Sequence, residues 1–429
     1  MILSVSIRGY LCKTLKLLAF FLLFFTFSVS ANQAVITTTD YSSGSISSLD
    51  LSTNTAVRDH LTIHSDAVVR TYRDKVYIIN RLGQDNVLVL DHSDLKTPLT
   101  QYSTGNGSNP HDMVFVSEEK AYISRYGRTQ VLIVNPVTGD SLGAVDLSGF
   151  ADADGLPEVS QLALYDNHLF AACQRLDRDN GWVPTDVSVI AVVDVMTDQV
   201  VDVDANTAGV QGIVMAGKNP AGAVQRGNKW FLSAVNTFAD LTDGGIEVID
   251  LANLKSEGVV LGEIAFGGNL SSLAMVSDEE GYVVVLDASF ANAVKRFDLA
   301  TQSVSPPLDG LTGGFVPSLG VFGGRLYVLD QSSFADPTAV GVRVYDVKTG
   351  ELVAGPISTG LLPSTIAFVG SVADFNGDCV VDLSDFLVFV EVFGKIASDA
   401  DFDAMFDLNG NDQIDLNDFL IFVSEFEGD

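Results

Sequence analysis

A strand that ends in Asp or Asn recurs seven times along the chain: SISSLD to Asp50, NVLVLD to Asp91, QVLIVN to Asn135, SVIAVVD to Asp194, GIEVID to Asp250, AVKRFD to Asp298 and GVRVYD to Asp346. The intervals of 41, 44, 59, 56, 48 and 48 residues mark copies of one unit. Each acid or amide is followed by a short turn, as in Leu51-Ser52-Thr53-Asn54 and Val347-Lys348-Thr349-Gly350. An Asp at the first turn position accepts hydrogen bonds from backbone amides two residues on, and a later Gly or Asn supplies the left-handed conformation. These acids are therefore expected to be structural.

A second signature, Gly three residues before Pro, precedes an inner strand at Gly107/Pro110, Gly217/Pro220, Gly314/Pro317 and Gly360/Pro363. Each unit then reads as inner strand, turn, second strand, variable loop, third strand to Asp, turn and outer strand. Seven antiparallel four-stranded units around an axis make a mainly β fold, a seven-bladed β-propeller that leaves only short edges. Inner strands are expected near Asp66, His111, Val159, Ala221, Leu270, Pro317 and Ser364. The last has no second strand after it, and the first unit, from Ala34 to His64, lacks an inner one. The chain end is expected to complete the blade that the chain start begins.

With Gly-x-x-Pro, a Tyr-Val strand, Val-x-Val-Ile-Asp and Thr-Gly recognisable in Gly107 to Gly139 and Gly314 to Gly350, the ring over about residues 34 to 369 resembles the YVTN-repeat, or YncE-like, propellers. That resemblance implies the fold and leaves function open, because related rings bind varied ligands and some similar ones are lactonases.

Charge divides the chain. It carries 55 acidic and 24 basic residues, a formal net charge of −31, which makes duplex nucleic acid an improbable partner. Residues 371–429 hold 15 acids and one Lys, marking a separate module after the propeller of residues 32–370. At the other end, Arg8, Lys13 and Lys16 precede an apolar run from Leu17 to Phe27 that closes in Val29-Ser30-Ala31. This pattern predicts a secretory signal peptide over residues 1–31 and a secreted or cell-surface-associated chain without a membrane span after cleavage. Cys173 and Cys379 are a distant pair that spacing alone does not bridge.

Residues 374 to 385 read DFNGDCVVDLSD and 407 to 418 read DLNGNDQIDLND, each followed by an apolar helix, with 11 identities over 20 aligned positions. Oxygen-bearing side chains fall at positions 1, 3, 5, 9 and 12: Asp374, Asn376, Asp378, Asp382 and Asp385, then Asp407, Asn409, Asn411, Asp415 and Asp418. Val380 and Gln413, at position 7, offer backbone carbonyls. This is the oxygen cage of an EF-hand-type loop, and two calcium ions are the expected cofactors. Position 6, usually Gly, is Cys379 or Asp412, and Asn411 gives the second loop one charge fewer. The duplicated loop-helix pair resembles a dockerin type I module, which implies a cohesin-like partner. Phe386, Phe389, Phe393, Phe419, Phe422 and Phe426 are expected to fill the module's own core, leaving Val388, Val392 and Ile421 for a partner surface, either the propeller flank or another protein.

On the propeller face that gathers the long loops, two groups stand out. Phe238, Phe290 and Phe334, in similar loops of blades 5, 6 and 7, join Trp182 and Tyr126 as a candidate aromatic wall, or else tuck under their own loops. Arg81, Arg125, Arg128, Arg175 and Arg178 form a candidate anion patch, or else pair with Asp85, Asp177 and Asp179. His111 and Asp112 sit at the channel entrance. The functional expectation is a binding or assembly protein whose upper face takes a ligand and whose tail docks. The alternative is an extracellular hydrolase, lactonase-like or glycan-active, brought to a scaffold by the tail. It needs Asp66, His111, Asp112 and Glu158 gathered in the channel. No catalytic triad, paired-His motif or phosphate loop is present.

Overall fold

The computed structural model describes residues 33–185, 187–331, 338–375, 381–399, 402, 406–409 and 411–426. The expected signal segment lies outside these residues, as do Asn376, Asp378, Cys379, Val380 and Phe334.

Strands form where β-branched and aromatic residues alternate, and each strand sends successive side chains to opposite faces. In blade 2, Lys75–Asn80 lies between Ala67–Tyr72 and Asn86–Asp91. Val76 and Ile78 enter the core shared with blade 1, while Tyr77 and Ile79 enter the core shared with blade 3. A sheet apolar on both faces is stable only between two others. Seven antiparallel sheets do this around one axis, so the chain is a seven-bladed β-propeller. All seven inner strands start within two residues of the expected positions. Blade 4 carries an additional small hairpin, Leu176–Asp177 paired with Val183–Pro184.

The ring closes as strand counting requires. Leu362–Val369 is the inner strand of blade 1 and pairs antiparallel with Gln33–Thr39, from Gln33 opposite Val369 to Thr39 opposite Leu362. Thr37 Oγ1 lies 2.7 Å from Thr365 Oγ1 and donates to the Ala67 carbonyl of blade 2 at 3.1 Å.

Turns after the third strands follow the acid. Amides two and three residues on donate to the side chain in Asp50 (2.9 and 2.8 Å), Asn135 (3.0 and 2.9 Å), Asp194 (2.8 and 2.9 Å), Asp298 (2.8 and 3.0 Å) and Asp346 (3.0 and 3.0 Å). Such bonds favour the carboxylate, and all six acids of the series are held below the ordinary range. Gly139 is required at its turn: its φ is +78°, and a Cβ there would meet the Tyr102 ring at 2.3 Å.

In the tail, helices α1 (Leu383–Val392) and α2 (Leu416–Glu425) start alike. Asp382 and Asp415 cap them, and Asp385 and Asp418 close a capping box at N3. Phe375, Phe389 and Phe422 stack with centroids 5.8 to 5.9 Å apart. The expected partner surface needs correction. Val388 and Val392 pack against Phe389, Phe406 and Ile414 inside the module. Exposed instead are Leu383, Leu387, Val390 and Phe393 on α1 and Leu416, Leu420, Val423 and Phe426 on α2. Among the described residues, no helix is long and apolar enough to cross a membrane.

Two predictions arise here. A chain ending at residue 361 loses the closing strand and is expected to lose its cooperative melting transition, whereas one ending at 370 retains it; circular dichroism of both decides. The second concerns Glu263, which is wholly buried. Burial pushes its carboxyl up to about 7, against the amides of Gly244 and Leu270 that hold it down. The folded chain thus holds this proton more tightly than the unfolded one. Its stabilisation is present below about pH 4.5 and lost as pH rises past about 7. Relative to the parent, Glu263→Gln is expected to gain melting temperature between about pH 5 and 8; a pH-independent difference contradicts this.

Candidate functional site

On the upper face, rings from blades 3 and 4 come together. His111, near the start of the inner strand Pro110–Ser117, stacks on Tyr126 at 4.2 Å and 8°. Trp182, from the blade 4 hairpin loop, lies 6.1 Å from the Tyr126 ring. Tyr126 donates to Gln174 Oε1 at 2.7 Å, and Gln174 Nε2 donates to Asn219 Oδ1 and the Pro220 carbonyl at 3.1 and 2.6 Å. This chain of bonds fixes the ring pair against blade 5. Burial, with Arg81 nearby, pushes His111 down to about 3, so it is a neutral ring at physiological pH. Trp182 is 49% exposed on a left-handed backbone (φ 63°), a conformation that costs a bulky residue free energy.

Phe238 and Phe290 do not complete a wall. They are 62% and 81% exposed, and neither stacks on Tyr126 or Trp182. They are not tucked under their own loops either.

The arginines separate into two kinds. Arg81 pairs with Asp66, and Arg178 pairs with Asp154 at 2.6 Å. Neither uses the acids expected from the sequence. Asp85 instead receives the amides of Gly107 and Asn109 at 2.6 and 2.8 Å, and Asp177 caps Asp179 and Asn180. Arg125 and Arg128 donate to backbone carbonyls, Arg125 to Gln130 at 3.0 Å and Arg128 to Asn106. Burial and the neighbouring Arg128 lower Arg125. Arg175 donates to the Val187 carbonyl at 3.1 Å. Arg125 and Arg128 therefore carry what remains of the anion patch.

Asp112 is already engaged within the blades. It is buried, paired with Arg70 Nε at 2.7 Å, and accepts the amides of Met113 and Leu162 at 2.8 Å each. Among the described residues, one cluster of three or more His, Cys, Asp or Glu donors lies within 4.8 Å, formed by Asp152, Asp154 and Glu158. It includes Glu158 alone of the four groups that a channel hydrolase needs. Sequence reading passed over Asp152 and Asp154, although the run Asp152-Ala153-Asp154-Gly155 was visible. It also passed over a cleft of about 430 Å³ between blades 1 and 2, lined by Ser43, His64, Asn80, Gln84 and Asn86.

In the second tail loop the predicted oxygens face inward around backbone amides. Asp407 accepts from Asn411 and Asp412 (3.0 and 2.8 Å), Asn409 from Asn411 (2.9 Å), and Asn411 from Gln413 (2.9 Å). Asp418 is fully buried and accepts from Asn409 and Asp415 at 3.0 and 2.7 Å. Burial pushes its carboxyl up, with the charges of Asp407 and Asp415 adding to it. Asp412 takes the left-handed turn (φ 65°) usually given to Gly and lies 2.8 Å from Lys348 of blade 7. In the first loop, Asp385 is likewise buried and accepts the Asp382 amide at 2.9 Å. Cys173 is a buried free thiol that burial pushes up to about 12.

No family model matches the chain, and no curated protein matches it in sequence. Among solved structures it is similar to a putative 6-phosphogluconolactonase from Bacteroides fragilis, with a TM-score of 0.54 and 14% identity over 80% of this chain and 98% of that one. It is also similar to apo AztD from Citrobacter koseri, at 0.47 and 14% over 80% and 98%. A dihydro-heme d1 dehydrogenase, NirN, gives 0.45 and 14% over 79% and 75%. At these identities the likeness is one of fold.

Trp182→Gly is expected to leave the melting temperature unchanged or slightly raised, because relief of about 1 kcal/mol of backbone strain offsets the added freedom of the unfolded chain. A fall of several degrees in a thermal melt would show that the ring is a packing element and not an exposed platform.

Proposed function

We propose that the protein is an exported binding and assembly protein. Its YncE-like propeller presents a ligand surface at His111, Tyr126 and Trp182 beside Arg125 and Arg128, and its dockerin-like tail binds two calcium ions and docks a partner. The observation that carries this reading is the duplicated loop and helix. Two segments 33 residues apart share the capping box and a wholly buried carboxylate at position 12, Asp385 and Asp418. Buried carboxylates facing further acids are costly without a cation. A calcium ion bound by these loops would offset that repulsion, and loop folding and metal binding would then be coupled.

Docking is supported by the exposed apolar stripes of α1 and α2, since contiguous apolar surface of this kind marks an interaction site. The contact of Lys348 with Asp412 joins two exposed groups, and such a pair contributes only about 0 to 1 kcal/mol. This favours a separate cohesin-like partner over the propeller flank as the occupant of the stripes. The predicted signal peptide supports export.

Calorimetric titration of the full chain with calcium tests the reading. Asp374→Ala and Asp407→Ala are each expected to remove one bound ion, with the second loop the weaker because Asn411 replaces a carboxylate. Unchanged stoichiometry in both variants would overturn it.

A further inference from the structure

The loop before the inner strand of blade 4 holds a feature that neither the ring nor the tail requires. Asp152, Asp154 and Glu158 each place one carboxylate oxygen within 4.8 Å of the others. Glu158 is 0% exposed. Its Oε2 accepts the Leu176 amide at 3.2 Å, while its Oε1 has no hydrogen-bond partner. That second oxygen shares the Arg178 guanidinium with Asp154. The nearest cation to it, Arg178 Nε, stands at 3.6 Å, beyond hydrogen-bond length, because Arg178 is drawn to Asp154 at 2.6 Å. Thr185 Oγ1 donates to Asp152 Oδ2 at 2.6 Å. Asp154 and Glu158 thus share one half-exposed guanidinium beside Asp152, and one buried oxygen is left without a hydrogen bond, an arrangement whose desolvation cost a close cation would reduce.

We propose that Asp152, Asp154 and Glu158 form a binding site for a hard divalent cation of the calcium type, on the propeller and separate from the tail loops. All three donors are oxygen, which suits calcium over softer metals, and water would complete the coordination. Arg178 acts as the resident counter-charge and swings to solvent when the ion enters. The ion then pins the hairpin Leu176–Pro184, which carries Trp182 beside Tyr126.

Terbium luminescence excited through tryptophan isolates this site, because residues 371–429 contain no Trp or Tyr. With the full chain, saturable emission displaced by calcium is expected. Glu158→Gln, which keeps an acceptor for the Leu176 amide, should abolish it. Arg178→Gln should bring the half-saturation point down by about tenfold, since it removes the competing cation and leaves the three ligands intact. Absence of emission in the parent, equal emission in Glu158→Gln, or an unchanged or weaker midpoint in Arg178→Gln would each overturn the proposal. The arginine variant retains every ligand, so it decides the matter even where Glu158→Gln fails to fold.

Discussion

Everything in this molecule depends on sheets that are apolar on both faces. A strand such as Lys75–Asn80 feeds two cores at once, one through Val76 and Ile78 and one through Tyr77 and Ile79. No blade can bury itself alone, and an open row of blades would leave an apolar face at each end. Closing the row into a ring removes both ends, which makes the pairing of Leu362–Val369 with Gln33–Thr39 a condition of the whole ring. The seventh interface, between blades 7 and 1, joins Tyr327, Leu329 and Val342 to Ala34, Ile36 and Leu49.

Toward the axis the blades approach too closely for apolar side chains, and polar groups take over. Ser124 of blade 3 donates to the Ser160 carbonyl of blade 4 at 2.8 Å, and Ser233 of blade 5 to the Ser271 carbonyl of blade 6 at 2.6 Å. Thr37 makes the same bond from blade 1 to blade 2. A Cβ on Gly222 would meet the Ser271 carbonyl oxygen at 2.4 Å, which shows how near the inner strands run. Buried acids tie down the loops above. Glu247 accepts the amides of Ala216 and Gly217 at 2.9 and 2.7 Å, and Asp330 takes the Thr312 amide and the Arg343 guanidinium.

What the sequence made legible was local. A turn acid bonds amides two and three residues away, so Asp50 or Asp298 declares its role without knowledge of the rest of the chain. Ring closure was legible because it needs only a count of strands. Pairings between loops were not, because loop path decides them. Arg81 reaches Asp66 at the start of its own blade's inner strand, and Arg178 reaches back to Asp154, while the nearer Asp85 and Asp177 are consumed by amides. Phe238 and Phe290 stand out in solvent for a related reason. Phe290 sits on a left-handed backbone (φ 61°) at its loop tip and points to solvent. In the tail, Val381 and Ile414, one residue before each helix cap, pack on Phe422 and Phe389 of the opposite helix. That exchange turns Val388 and Val392 inward and leaves Leu383, Leu387 and Val390 outside, a choice no helical periodicity expresses.

The acidity of the chain resolves into distinct physical states. In the repeated turns, nearby hydroxyls and backbone amides favour each ionised carboxylate and hold its pKa down, so these charges are already satisfied. At Glu263 and Glu158, burial outweighs the available amides and pushes both carboxyls up. The two buried acids differ in what surrounds them. Glu263 receives amides on both oxygens, and no further acid joins it in a metal-like cluster among the described residues. Glu158 receives one and faces Asp152 and Asp154; Asp418 receives two but is pressed by Asp407 and Asp415. Where amides suffice, the acid is architecture. Where buried acids also crowd one another, a bound cation is the partner proposed, and the same criterion picks out both the tail loops and the loop of residues 152–158.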